Sequence, residues 1–505
     1  MQYKTLYYST GIVQHALALP SFYSFAAPSS VGFIIPLCTL DMMAVATNMS
    51  YVFFFNNQDN AAGFMDSHIL KQALYRTLAQ FPILLGHLQK GRKGRVKVVV
   101  DRENINVPIY RETTWSQTHY TELLESQFDF KLWPEHLMPA DSCLRPDPHT
   151  RDIKLLSISI MRLKSNSGVA VCISIPHYVM DGCGYFEFVN QWSDEAKAIV
   201  EGTCAPKREF LFDRSVVDRY LPPERAALPA LVDSLYATRS PFFEYVARLP
   251  PVWRARFVIY MRRKETIRGC LFRMSRDKLD YLHQLVRPHL PEGMRISDND
   301  LLIALFSMVA GYAMLGDAKE VMQLRRAADN PTRGLLGEQL MCLPCNFRSR
   351  IGMSDICYTG NMQYPIGFIN PIEHLLKPIT GESLAEVAAK ARLAVKDVTA
   401  GTVASFVETI NSQPTSYARP VGNTKHFAQI LVVTNHMTQK IYETDFGYGM
   451  PDIGILSPVF APAVNFIVPC KPPSADVYLH MTYDLKVMER IIENRFWQSL
   501  VHQIY

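Results

Sequence analysis

Residues 176–184 read PHYVMDGCG: Pro176 closes an apolar run, His177 follows it, Asp181 stands four residues beyond, and Gly182 comes next. A histidine just past a strand end, with a carboxylate four residues on, suits a proton-abstracting base held in place by its own loop. The H-x-x-x-D spacing alone carries little weight, since roughly one chance match is expected in a chain of 505 residues. A second match does occur, His480 with Asp484 in VYLHMTYDL, but it has neither the glycine nor a strand that ends at a turn.

Working outward, VCISI at 171–175 reads as a buried strand that Pro176 terminates, and a helix is expected from about Gly184 to Ile199. Residues 67–80, SHILKQALYRTLAQ, place Ile69, Ala73, Leu74, Thr77 and Leu78 on one stripe, the pattern of an amphipathic helix. Pro82 stops it, and KGRVKVVV at 93–100 reads as a strand. Between about 205 and 265 the texture changes, with Pro222, Pro223, Pro229, Pro241, Pro250 and Pro251 set among basic residues, which reads as a linker. Beyond it, helices are expected near 276–286, 297–314 and 383–398, the last with Ser383 and Glu386 as a capping box. Strands are expected at 428–434, 463–468 and 476–483. The expected organisation is α/β in two lobes, 1–205 and 266–505, joined by a crossover at 206–265.

Composition excludes several classes. An apolar fraction of 48% with 20% charged residues is that of a globular protein rather than a disordered or fibrous one. A net charge of +5 is small for this length and gives no bulk attraction to nucleic acid. VGFIIPLC is the longest apolar run near the N-terminus, far short of the ~20 residues that a bilayer requires. Without a signal-peptide core in MQYKTLYYSTGIVQ, Asn48 in NMS is read as an accidental glycosylation match, and the expected location is the cytoplasm. The ten cysteines are scattered, as expected of reduced thiols. Cys342 and Cys345 form a lone C-x-x-C with no second pair, which favours a structural role over redox chemistry or zinc, and no metal is expected. GHLQKGRK imitates a phosphate-binding loop but has Arg92 where the motif needs Lys, and RARFVIYMRRK (254–264) reads as a solvated basic helix face.

One further stretch changes the reading. YETDFGYGMP, with Asp445, Phe446, Gly447, Tyr448 and Gly449, closely resembles the D-F-G-W-G signature of the BAHD acyltransferases, coenzyme-A-dependent enzymes known from plants and fungi. Other segments are similar in the same order. CTLDMM around Asp41 resembles the early S-x-L-D segment, and ILKQALYRTLAQFPILLGHL the helix that ends in Y-P-x-L-A-G. FVNQW resembles the stretch after the H-x-x-x-D motif, while NFRSRI with Arg348 and YTGN with Gly360 and Asn361 resemble the V-D-x-R-x-R and F-G-N pair.

The resemblance implies two chloramphenicol-acetyltransferase-like domains, each a mixed sheet flanked by helices, with a channel between them and His177 in mid-channel. It implies an acyltransferase of a fungal kind, moving an acyl group other than aminoacyl from acyl-CoA to a hydroxyl of a small metabolite. It also implies a monomer with acyl-CoA as co-substrate and no bound cofactor. His177 would be the general base. Asp181 and Gly182 would be structural, with Asp181 pointing away and pairing with an arginine, for which Arg348 is the candidate. Asp445, Gly447 and Gly449 would organise a loop. Where the family often carries T-S-W or T-N-W, this chain has Thr434, Asn435 and His436. Thr434 and His436 are then candidates to contact the acceptor or the developing oxyanion, with a polar wall as the alternative for His436. The stretches FRMSRDKLD and RISDND make Ser275, Arg276 and Ser297 candidates for coenzyme A. Two alternatives remain open: acylation of an amine, and a non-catalytic scaffold of the same fold. Peptide condensation domains carry HHxxxDG, whereas Pro176 precedes His177 here.

Overall fold

Two uninterrupted apolar strands set the architecture. The computed structural model describes residues 33–44, 48–90, 96–101, 104–134, 136–138, 153–236, 267–329, 336–412, 427–458 and 462–505. Within them β1 (Asn48–Asn56, NMSYVFFFN) is buried along its interior, and so is every residue of Gly168–Pro176 (GVAVCISIP). Strands buried on both faces belong at the middle of a covered sheet, and these two pair antiparallel with Tyr51 opposite Ile173. Completing the set are β2 (Ile109–Trp115) and β3 (Ser157–Leu163), with Gly168–Pro176 as β4. The C-terminal half adds β5 (Ile267–Met274), β6 (Glu338–Asn346), β7 (Gln363–Pro371), β8 (Gln429–Asn435), β9 (Ile453–Leu456), β10 (Val464–Pro469), β11 (Val477–Asp484) and β12 (Val501–Gln503). They form a five-stranded sheet in the order β9-β1-β4-β3-β2 and a seven-stranded sheet in the order β7-β6-β8-β10-β11-β5-β12. Both are mixed: β2 runs parallel to β3, and β8 runs parallel to β6 and to β10. β9 belongs to the C-terminal half of the sequence yet closes the edge of the N-terminal sheet against β1.

Each sheet carries its own apolar core. Helix α1 is Thr39–Met43, α2 is Ser67–Gln80 and α3 is Gly182–Glu201, the last two packing on the five-stranded sheet with Trp192 Nε1 donating to the Leu70 carbonyl at 2.9 Å. Helices α4 (Arg276–Val286), α5 (Asp298–Met314) and α6 (Gly381–Lys396) belong to the second core. Among the described residues no single helix is long and apolar enough to cross a membrane, and the apolar α5 is buried nearly throughout.

The sequence expectations differ from this picture in detail. The fully buried stripe of α2 is Leu70, Ala73, Leu74, Thr77 and Leu78, with Ile69 partly buried against the same core, and Asp66 caps the helix through the His68 and Ile69 amides. Ser383 and Glu386 do not make the capping box of α6. Thr380 is the cap with Ser383 as its reciprocal partner, the helix starting one turn earlier, and Glu386 pairs with Lys390 at 3.3 Å. The described part of 206–265 carries a two-residue strand, Phe210–Leu211, and two short helices, Val216–Tyr220 and Ala230–Tyr236. Residues 237–266, with the basic run 254–264, lie outside the described residues, as do 93–95 of the expected strand 93–100.

Gly184, in the first turn of α3, has the tightest requirement for a missing side chain near the site. A Cβ there would stand 2.3 Å from the Thr359 carbonyl oxygen, which is backbone and has little room to yield. Gly184→Ala is therefore expected to cost about 1–3 kcal/mol, the range for overpacking. In thermal unfolding it should fall several degrees, while Gly63→Ala, which meets nothing within 4 Å, should unfold with the wild type.

Candidate active site

Pro176 ends β4, and the chain turns through Val179, whose amide donates to the Pro176 carbonyl at 2.9 Å, before Asp181 caps α3. His177 is held in that turn. Its Nδ1 lies 3.1 Å from Oδ1 of Asn361, just ahead of β7, and Asn361 Nδ2 donates to the His177 carbonyl at 2.9 Å. Asp41 decides the orientation of that amide. A carboxylate only accepts, and Asp41 Oδ1 takes hydrogen bonds from Asn361 N and Nδ2, both at 3.0 Å. The amide oxygen must then face His177, so Nδ1 carries the proton and Nε2 keeps its lone pair. Asp41 is fixed in turn by Arg214 Nε at 2.9 Å and the Cys38 amide at 3.0 Å, and Arg214 also donates to the Val179 carbonyl at 2.7 Å. Asp41, Asn361 and Arg214 are all buried. Burial lowers the His177 pKa below the usual histidine value; its own carbonyl, Asp181, Asn361 and Asp41 oppose the shift without reversing it.

Asp181 faces away from His177's ring into a second buried ion pair. Its carboxylate takes Arg348 Nη1 at 2.7 Å and Nη2 at 3.0 Å, the Met362 amide at 3.0 Å and the Gly184 amide at 3.1 Å. Arg348 Nη2 also donates to the carbonyls of Tyr358 and Gly360 at 3.1 and 2.7 Å and Nη1 to Asn346 Oδ1 at 3.2 Å, while the buried Nε has no hydrogen-bond partner among the described residues. Gly182, the first residue of α3, lies against Gln439, whose amide nitrogen would be 2.9 Å from an added Cβ.

Asp445 gathers the loop that follows it. One oxygen accepts from the amides of Gly447, Tyr448 and Gly449 at 2.9, 3.1 and 2.8 Å, while the other pairs with Lys197 of α3 at 2.8 Å. Gly447 and Gly449 sit at φ +92° and +93°, a region that favours glycine. These charge-assisted bonds hold the Asp445 carboxyl below its usual range despite partial burial. Phe446 packs edge-on against Phe55 and Trp192, and the Tyr448 hydroxyl donates to the Gly63 carbonyl at 2.9 Å, so the loop is fastened to the N-terminal lobe.

Thr434 is the penultimate residue of β8, and His436 follows the strand, its amide bonded to the Ile467 carbonyl at 2.8 Å. Thr434 Oγ1 lies 3.3 Å from His436 Nε2. His436 Nδ1 is in a short hydrogen bond with the hydroxyl of Tyr51, a buried residue of β1 in the other lobe. Burial, then the nearby His177, push the His436 pKa down to about 3, so this ring is neutral across the physiological range.

These features can be set beside known proteins. A family model described as the Transferase family matches residues 25–238. Anthranilate N-benzoyltransferase protein 1 of Dianthus caryophyllus is 23% identical over 427 residues, covering 82% of this chain and 83% of its own. A hydroxycinnamoyltransferase of Narcissus pseudonarcissus is 27% identical over 160 residues, 32% of this chain and 34% of its own. The chain is similar to the BAHD-type acyltransferases. Among solved structures, F. graminearum TRI101 complexed with coenzyme A and deoxynivalenol superposes with a TM-score of 0.70 at 15% identity, covering 94% of this chain and all of that one. Vinorine synthase does so with a TM-score of 0.60 at 15% identity, covering 95% and 96%. The two-lobed, mixed-sheet architecture is thus shared with these structures.

Not every residue singled out from sequence is gathered at His177. Ser275 caps α4 by accepting from the Lys278 amide, and Ser297 caps α5 in a reciprocal box with Asp300. Arg276 is clasped by Asp298 at 2.6 Å and Asp280 at 2.7 Å. The three lie together at the adjoining starts of α4 and α5, with their polar atoms already engaged. His480 is buried inside β11, bonded to the Pro458 carbonyl at 3.0 Å, with its pKa lowered by burial to about 4. Asp484 caps the next helix, so the second H-x-x-x-D match is core structure. Cys342 and Cys345 lie on β6 with free thiols, and no cluster of metal-binding side chains occurs among the described residues. Sequence reasoning noted Asp41 and Asn361 only as parts of similar segments and gave them no task. It passed over Arg214, inside the proline-rich region, and Tyr51, inside an apolar run.

Removing one partner of a buried ion pair leaves the other charge uncompensated, at a cost of about 3–5 kcal/mol. Asp181→Asn should therefore lower stability by that amount in urea unfolding. Asp181→Leu combined with Arg348→Met, which removes both charges, should recover part of it.

Proposed function

We propose that the protein is an acyl-CoA-dependent O-acyltransferase that uses His177 as general base on a hydroxyl of a small metabolite. The observation that carries the reading is the Arg214–Asp41–Asn361–His177 chain, which leaves Nε2 as the proton-accepting atom of a ring that burial keeps neutral. An alcohol is a weak nucleophile near neutrality, so its proton must be taken as it attacks the thioester carbonyl. In this reading His177 Nε2 takes that proton as the oxygen–carbon bond forms. The tetrahedral intermediate then collapses with cleavage of the carbon–sulfur bond, and the same proton passes from Nε2 to the departing thiolate, regenerating the base. Both substrates are held at one nitrogen, so no acyl-enzyme is required. Support comes from the similarity to the Transferase family over residues 25–238 and from the fold shared with TRI101, whose structure holds coenzyme A with deoxynivalenol.

Ser275, Arg276 and Ser297 are proposed to meet coenzyme A only by exchanging their present cap and ion-pair partners. The name of the Dianthus relative, an N-benzoyltransferase, favours an amine acceptor as a second reading, since the same base would serve an amine.

The experiment is acyl-CoA binding and thiol release with a panel of alcohols and anthranilate-like amines, for wild type and His177→Ala. General-base assistance is worth about 10²–10⁴-fold, so the variant should bind acyl-CoA as before and lose turnover by that factor. Acylation of amines alone would select the second reading, and binding without turnover in the wild type would select a scaffold. A base acts when deprotonated, and His177 is shifted downward. The wild-type rate should therefore fall on acidification through a pKa below the ordinary ~6.5 of histidine. A limb centred above that value would count against His177.

A further inference from the structure

We propose that Tyr51 is a positioning residue that sets the tautomer of His436, so that His436 presents an Nε2–H to the thioester oxygen as negative charge develops on it. The inference rests on the acyltransferase reading and extends it to a donor whose orientation comes from the opposite lobe. Tyr51 stands at the middle of β1, its ring enclosed by Tyr185 and Phe186 with centroids at 5.3 and 5.0 Å, and it is 1% exposed. Within this apolar pocket the one polar contact given to its hydroxyl among the described residues is His436 Nδ1. Two proton arrangements fit that contact. If His436 Nδ1–H donated, the tyrosine hydrogen would be buried with no acceptor, a cost of about 1–3 kcal/mol. If Tyr51 donates, both groups are satisfied, and the imidazole hydrogen is placed on Nε2.

Nε2 is the atom on the Thr434 side, 3.3 Å from its hydroxyl, too long for a strong hydrogen bond. It is therefore available to an incoming oxygen, with the Thr434 hydroxyl beside it as a second donor. The imidazole plane is held by Phe466 edge-on at 5.2 Å and by Tyr51 stacked at 6.0 Å. His177 is near enough to His436 to lower its pKa, and on the acyltransferase reading base and donor then serve the same thioester. Because the donor is a neutral N–H in fixed orientation, it stabilises an oxyanion without reorganising during the reaction. A tryptophan at this position would supply an indole N–H without help; a histidine supplies one only in the right tautomer, and Tyr51 provides that selection.

Tyr51→Phe removes the hydroxyl while keeping the ring. The expected result is a fall in kcat of about 10–100-fold, with KM for acyl-CoA and the thermal midpoint little changed. In a His436→Gln background, whose amide N–H needs no tautomer, the same Tyr51→Phe substitution should change kcat by less than about twofold. Nitrogen-15 NMR of histidine-labelled protein should show His436 protonated at Nε2 in the wild type and a mixture in Tyr51→Phe. The proposal is overturned if Tyr51→Phe retains wild-type kcat where His436→Ala does not, or if the wild-type spectrum places the proton on Nδ1. The NMR result is independent of turnover, so it also stands apart from the His177 reading: an active His177→Ala would sink that reading and leave the tautomer assignment to its own spectrum.

Discussion

The ionised pair Asp41–Arg214 is the constraint on which the site depends. Taking two charges out of water costs several kcal/mol per ion, and their attraction offsets this only when the remaining hydrogen-bonding atoms are also satisfied. Here they are. Asp41 accepts from Cys38, Asn361 and Arg214, and Arg214 gives its other donors to the carbonyls of Val179 and Phe212. The pair therefore ties four distant segments of the chain to one point. It also decides, through the direction of one amide, which nitrogen of His177 is basic.

The second buried pair, Asp181–Arg348, acts on the same object from the other side. Arg348 holds the carbonyls of Tyr358 and Gly360, Asp181 holds the amide of Met362, and Asp41 holds the amide of Asn361 between them. Residues 358–362 are gripped at successive peptide groups by two carboxylates and an arginine. This explains why a loop rather than a strand can carry the residue that orients His177. Asp181 fixes the loop and caps α3, so its hydrogen bonds go to Arg348, Met362 and Gly184.

Much of this was legible in the sequence, and the remainder failed for definable reasons. Strand ends at proline, the stripe on α2 and the paired glycines after Asp445 are local signals, and the elements they announce are found within a residue or two. Leu70, absent from the expected stripe of α2, is buried with it, while Ile69 packs partly buried against the same core. Ser383 looked like a cap because it has the right chemistry, but Thr380 meets the turn first. Arg214 could not be read, because an arginine among prolines in an apparent linker carries no mark of the buried carboxylate, 173 residues earlier, that it neutralises. Tyr51 was invisible for the same kind of reason. Within SYVFFF it is one more large apolar residue until the fold brings a histidine 385 residues away against its hydroxyl.

The two imidazoles share a further property that only the assembled lobes reveal. His177 leaves the five-stranded sheet and is oriented by Asn361, which precedes a strand of the seven-stranded sheet. His436 leaves the seven-stranded sheet and is bonded by Tyr51, a strand residue of the five-stranded sheet. Each ring is thus supplied by one lobe and held by the other. Neither lobe alone supplies the hydrogen bonds that orient these two rings, so docking of the lobes and ordering of both rings become a single event. Side chains placed to within about half an ångström are usually secured by neighbours on the same rigid element. This protein secures them across a boundary, and β9 together with the loop pinned by Asp445 explains how that boundary is kept from sliding. Both come from the C-terminal half of the chain, yet they are fastened to β1, α3 and Gly63 of the N-terminal lobe.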